Sequence, residues 1–115
     1  MSVVTLLHNP RCSKSRQALA LLEAAGVELT VRRYLDAPLT LEELRALHGQ
    51  LSLPVKEWTR TKEGAFKEAG LSRDSGDEAL LAAIAAHPIL MERPVAVLGD
   101  RAVVGRPPER VNELL

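Results

Sequence analysis

Cys12 is the only thiol in this chain of 115 residues, and its neighbours decide what it can do. It stands in the stretch His8-Asn9-Pro10-Arg11-Cys12-Ser13-Lys14-Ser15-Arg16, between an apolar run of strand character and a segment with helical spacing. Pro10 imposes an extended or turn conformation ahead of the thiol, and Ser13 or Ser15 is suited to cap the helix that follows. Cys12 then sits at or beside a helix N-terminus, where unpaired N–H groups and the positive end of the macrodipole favour negative charge. Arg11, Lys14 and Arg16 add positive charge at the same end. Both effects favour the thiolate, the reactive form of cysteine, and the same geometry is a ready oxyanion site. A lone cysteine is ordinarily a small buried hydrophobe. This one lies in a turn among charged and polar residues, which is where reactive thiols are found. His8 has two roles open to it: lowering the thiol pKa, or simply ending the first strand.

A reactive loop needs elements to hold it. Residues 2–7 are a β-branched and apolar run, consistent with a strand buried on both faces. Beyond the loop, Ala18, Leu19, Leu22 and Ala25 recur at helical spacing, and Gly26 ends the helix as its C′ residue. Residues 29–35 read as a second strand, so a βαβ unit with parallel strands and a right-handed crossover is predicted. Asp36-Ala37-Pro38 breaks the chain. Thr40 followed by Glu43 makes a capping box, with an apolar stripe of Leu41, Leu44 and Leu47 in a helix bounded by Gly49 and Pro54. From residue 55 to 87 the pattern is helical in pieces: one segment near 61–69 stopped by Gly70, another near 77–86 stopped by His87-Pro88. Leu80, Leu81 and Ile84 form the apolar face of the latter, and no strand signal occurs in this middle third. Residues 94–98 and 101–104 flank Gly99-Asp100, a hairpin whose first central glycine suits a type II′ turn. A short closing helix opens around residues 105–108 and buries Val111, Leu114 and Leu115. The order is that of an α/β thioredoxin-like fold: a four-stranded mixed sheet with a helical insertion between the βαβ half and the C-terminal ββα half.

Composition excludes several classes. The length suits one domain, residues 1–115. A single cysteine excludes an internal disulfide framework and any multi-cysteine metal site, and three scattered histidines offer no replacement. Lys+Arg and Asp+Glu are equal at 15 each, so no overall field draws the protein to nucleic acid or to a membrane. With no signal leader or membrane span, a cytoplasmic protein is expected. Aromatic residues are only 3%, which argues against surfaces that stack nucleic-acid bases.

Four spaced motifs then resemble one family along nearly the whole chain. They are His8-Asn9-Pro10-Arg11-Cys12 with Ser15-Arg16, Arg32-Arg33-Tyr34-Leu35, the run from His87 through Glu92-Arg93-Pro94, and Gly105-Arg106-Pro107. The chain resembles the glutaredoxin-coupled arsenate reductases, including their shorter arsenate-reductase-like relatives. A cysteine phosphatase pattern with arginine six residues after the thiol does not fit, because position 18 is alanine. The resemblance implies Cys12 as the nucleophile toward arsenate or a related oxyanion, held by Arg60, Arg93 and Arg106. It also implies a cis bond before Pro94, in a position facing the cysteine. His8, Ser15 and Arg16 are supporting residues, with Ser15 where a resolving cysteine would stand and able to hydrogen-bond the sulfur. Forked guanidinium groups suit a tetrahedral oxyanion better than ammonium does. The reaction so implied needs no bound cofactor and no metal; glutathione is the co-substrate and glutaredoxin the partner that resolves a mixed disulfide. Two other classes share the pattern. One is a glutathione-linked thiol oxidoreductase of another substrate. The other is a Spx-type transcriptional regulator binding RNA polymerase, whose redox switch normally has a cysteine where Ser15 stands.

Overall fold

Strand β1 (Val3–His8) carries the loop, and everything in the sheet is placed by its pairing. The computed structural model describes residues 3–72 and 74–115; Ser2, the first residue of the predicted strand, lies outside them. β1 pairs in parallel with β2 (Glu28–Arg33), from Val3 opposite Glu28 to His8 opposite Arg33. On its other side it pairs antiparallel with β3 (Val95–Leu98), which in turn forms a hairpin with β4 (Arg101–Val104). The sheet order is therefore β2-β1-β3-β4, a four-stranded mixed sheet with the βαβ and ββ halves predicted. The hairpin turn is Gly99-Asp100, with φ of +61° at Gly99 and at no other residue of the turn, as a type II′ turn requires.

Residue contacts divide the chain into two compact units, one running up to Ala37 and resuming at Arg93–Leu115, the other being Pro38–Glu92. In the sheet unit, β1 is buried on one face through Val4 and Leu6, whereas on the other only Leu7 is buried, Thr5 being half-buried and Val3 exposed, so burial on both faces holds only toward the strand's end. Val4, Leu6 and Ala96 meet Ala18 and Leu22 of α1 (Ser13–Ala24), together with Val111 and Leu114. Leu6 and Leu22 are fully buried, each contributing about 1.5–3 kcal/mol. Helix α1 ends where the apolar spacing ends, with Ala25 as cap and Gly26 at φ +71°. Ala25 itself is exposed.

The closing segment departs from expectation. It is a 3-10 helix, Pro108–Leu114. With three residues per turn, Pro108, Val111 and Leu114 stack on one face and are buried, whereas Leu115 falls off that face and is exposed.

The second unit is helical. In α2 (Leu41–Leu51) the capping box is complete: Glu43 N–H donates to Thr40 Oγ1 at 3.1 Å and Thr40 N–H to Glu43 Oε1 at 3.0 Å. Gly49 does not stop this helix. Burial of Leu47 and Leu51, one turn apart, carries it on to Ser52, which ends it in the left-handed region at φ 56°. A 3-10 turn (Val55–Trp58), α3 (Gly64–Glu68), α4 (Asp77–Ala86) and a second 3-10 turn (Pro88–Leu90) follow. An isolated antiparallel bridge joins Thr59 to Met91. Among the described residues no helix is long and apolar enough to cross a membrane.

Two glycines make opposite tests of this architecture. A Cβ on Gly105 would meet Pro94 Cγ at 2.9 Å and Val111 Cγ1 at 3.0 Å. Gly105→Ala should therefore cost roughly 1–3 kcal/mol, the usual penalty of overpacking. A Cβ on Gly49 meets nothing within 4 Å, and Gly49→Ala should add roughly 0.5–1 kcal/mol by removing backbone freedom from a helix. Urea unfolding of both variants against wild type measures the difference.

Candidate functional site

Cys12 is itself the N-cap residue of α1, at φ −93° and ψ 123°. Its N–H donates to Asn9 O at 3.0 Å, and its carbonyl accepts the first helical bond from Arg16 N–H at 3.0 Å. Neither Ser13 nor Ser15 caps the helix, contrary to the sequence expectation, because the cap position is taken by the cysteine. The thiol thus lies over the first turn, whose N–H groups have no helical acceptor.

Those N–H groups act on the sulfur. Burial pushes the half-buried thiol up, but hydrogen bonds from the Ser15 N–H, the Arg93 guanidinium and the Lys14 N–H, with the charge of Arg93, bring it below its ordinary value. The side-chain cation that matters comes from the start of β3, about eighty residues away in sequence. The side chains of Arg11, Lys14 and Arg16, which the sequence singles out, are exposed, and their charges are not among the causes that shift the thiol. Arg16 spends its guanidinium on the loop, donating from Nη1 to Pro10 O at 2.8 Å.

Ser15 also does something other than predicted. Its hydroxyl is fully buried and accepts from Asn9 N–H at 3.0 Å, with His8 Nδ1 at 2.7 Å. It reaches Cys12 through its backbone N–H, and the structure gives its hydroxyl to the strand end. His8 is buried at the end of β1, and burial first, then the charges of Arg33 and Arg16, push its pKa down. The shift favours the neutral ring, and the contact the structure gives His8 is the one at the strand end, where its Nδ1 meets the Ser15 hydroxyl.

Arg93 precedes a cis bond to Pro94. Its guanidinium bonds the Cys12 sulfur, while its Nε and Nη1 are sealed from solvent with no hydrogen-bond partner among the described residues. Pro94 O accepts Gly105 N–H at 2.8 Å, which brings the end of β4 to the start of β3. Arg106 follows there, and its Nη1 donates to Arg93 O at 3.1 Å. The bond from Arg106 to Pro107 is cis as well, a feature with no sequence signal. Cys12, Arg93 and Arg106 therefore belong to one unit and one neighbourhood. Arg60 belongs to the helical unit, with its guanidinium held between Glu63 at 3.0 Å and Glu92 at 3.2 Å.

One residue was missed. Asn9 is buried, gives its carbonyl to Cys12 N–H and its Oδ1 to Arg11 N–H at 3.0 Å. An asparagine bonding the backbone two residues on is an Asx turn, and Asn9-Pro10-Arg11 was legible as one.

Two expectations follow from this arrangement. The alkylation rate of Cys12 against pH should inflect below that of the unfolded thiol, and Arg93→Ala should move the inflection upward; equal inflections in the native and unfolded protein would rule out the geometry. Ser15→Ala removes the shared partner of Asn9 N–H and His8 Nδ1. It should cost about 1–3 kcal/mol in urea unfolding, the penalty of leaving buried polar groups unpaired.

The site has counterparts in known proteins. Residues 7–114 match the model of the ArsC family. A protein of Neisseria meningitidis named arsenate reductase is 44% identical over 117 residues, covering all of both chains. One of Haemophilus influenzae with the same name is 41% identical, again over the whole of both. The solved structure of an arsenate reductase from Vibrio cholerae superposes with a TM-score of 0.93 at 47% identity, covering 98% of each chain. With a thioredoxin-like sheet, a thiol at the first helix N-terminus and this match from end to end, the chain belongs to the ArsC family.

Proposed function

We propose that this chain is an arsenate reductase that works through a covalent adduct at Cys12 and draws its electrons from glutathione and glutaredoxin. The observation that carries the reading is the Arg93 guanidinium. It stands beside a thiol whose pKa is lowered, with two buried donors unpartnered. Such a pair suits a nucleophile attacking a tetrahedral anion. The names of the whole-length relatives support arsenate as that anion.

In this reading Cys12 thiolate attacks arsenic, and one arsenate oxygen leaves as water after taking up protons. Arg93 and Arg106 neutralise the charge on the remaining oxygens. Arg60 is the third arginine that the resemblance assigns; its charge is shared with Glu63 and Glu92. Glutathione thiolate then attacks Cys12 Sγ. The sulfur–arsenic bond breaks with its electron pair kept by arsenic, which becomes arsenite, while Cys12 and glutathione form a mixed disulfide. A glutaredoxin thiolate takes the glutathionyl group and frees Cys12. An external relay is required because the chain has one cysteine, and the position of a resolving thiol holds Ser15.

Arsenite formation should be measured with glutathione plus glutaredoxin, and with thioredoxin plus its reductase. Activity is expected in the first mixture, little in the second, and none for Cys12→Ser. Arg93→Ala and Arg106→Ala should each weaken oxyanion binding by about 1.5–3 kcal/mol, with Lys only partly restoring it, and Arg45→Ala should change nothing. Formation of a glutathione adduct at Cys12 without any arsenite would identify a thiol oxidoreductase of another substrate instead.

A further inference from the structure

We infer that the exposed cations around the Cys12 loop form a docking surface for the acidic face of the thiol–disulfide exchange protein that regenerates Cys12. This rests on the reading of Cys12 as a thiol oxidised in turnover. Arg11, Lys14, Arg16 and Arg33 are all exposed, and among the described residues none of the four forms an ion pair. Arg33 is the register partner of His8, which places it at the same sheet end as the loop. The charges of Arg33 and Arg16 both act on His8, so their fields overlap there.

The carboxylates of this unit lie largely elsewhere. Glu28 pairs with Val3 at the far end of β1, Asp100 is in the hairpin turn, and Glu23 is in the last turn of α1. Glu109 and Glu113 lie in the closing 3-10 helix, where Glu113 is taken up by Arg110. Asp36, in the turn after β2, donates its N–H to Arg33 O but makes no ion pair with it. A chain with equal numbers of cations and anions thus gathers unpaired cations at the one place where a second sulfur must approach.

Such a field steers encounter more than it adds affinity. A nucleic acid fits less well, because Tyr34, the aromatic residue of this unit, is buried and offers bases no face on which to stack. The exchange step itself is balanced. A partner thiolate attacks the non-protein sulfur of the Cys12 mixed disulfide, a new disulfide forms on the partner, and Cys12 leaves as thiolate.

The test uses full-length protein carrying a chemically prepared Cys12–glutathione disulfide, so its result does not depend on arsenate. Its reduction by an acidic glutaredoxin and by neutral 2-mercaptoethanol is followed from low to high ionic strength. The Arg11→Glu/Arg33→Glu variant should react with glutaredoxin at least about tenfold more slowly at low ionic strength. High salt should erase the difference, and the 2-mercaptoethanol rate should be unchanged. Arg11→Gln/Arg33→Gln should fall between the two. Equal glutaredoxin rates in all three proteins would overturn the proposal, and so would an equal loss with 2-mercaptoethanol, which would locate the effect at the sulfur. A duplex DNA that binds wild type but not the Glu variant, with the glutaredoxin rate unchanged, would assign the patch to nucleic acid. If Cys12 takes up no glutathione at all, both this proposal and the reading of the thiol fall together.

Discussion

The contest between burial and hydrogen bonding at one sulfur organises this molecule. Burial alone would hold Cys12 as a thiol; two main-chain N–H groups and one guanidinium reverse that. Each donor depends on a different part of the sheet unit. The N–H groups exist because α1 begins at Cys12, and α1 is held there by Ala18 and Leu22 in the core. The guanidinium arrives because β3 runs antiparallel to β1 and starts beside the end at which the loop leaves. A helix terminus and an arginine acting on the same atom are worth more than either alone, since both sit where water is partly excluded.

The loop is kept in shape by residues that never touch the sulfur with their side chains. Asn9 closes the turn through its carbonyl and its amide oxygen, Ser15 ties Asn9 to His8, and Arg16 holds the Pro10 carbonyl. His8 suits this place because its pKa is lowered there, which favours the uncharged ring. Burial first, then the charges of Arg33 and Arg16, oppose a proton on the ring, whereas the charge that favours the thiolate comes from Arg93. Both groups are thus pushed toward their deprotonated forms within one short loop, which leaves the ring without charge and places charge on the sulfur.

The arginines differ in how they are held. Arg93 keeps two buried donors without a partner. Arg106 is exposed and braced on the Arg93 carbonyl. Arg60 is paired with two carboxylates. Donors that lose hydration without gaining a partner are costly to bury, and the two on Arg93, beside its bond to the Cys12 sulfur, distinguish it from an ordinary surface arginine.

Much was determined by the sequence itself. Period and punctuation placed the strands, α1, the capping box and the hairpin, since each reports a local preference: apolar spacing, a threonine three residues before a glutamate, a glycine in a tight turn. The position of Cys12 at a helix start was legible for the same reason. The stop at Gly49 and the burial of Leu115 were misread, because a glycine tolerated by a well-buried helix and a change from 3.6 to three residues per turn are settled by packing. Which cation reaches the thiol was beyond local reading. Arg11, Lys14 and Arg16 are near it in sequence but exposed, and Arg93 is near it only because two antiparallel strands bring position 93 beside position 12. The Ser15 hydroxyl likewise has its direction set by the end of β1, where an N–H and a ring nitrogen compete for it more closely than the sulfur does. Side-chain direction depends on partners supplied by other elements, and only the tertiary structure supplies them.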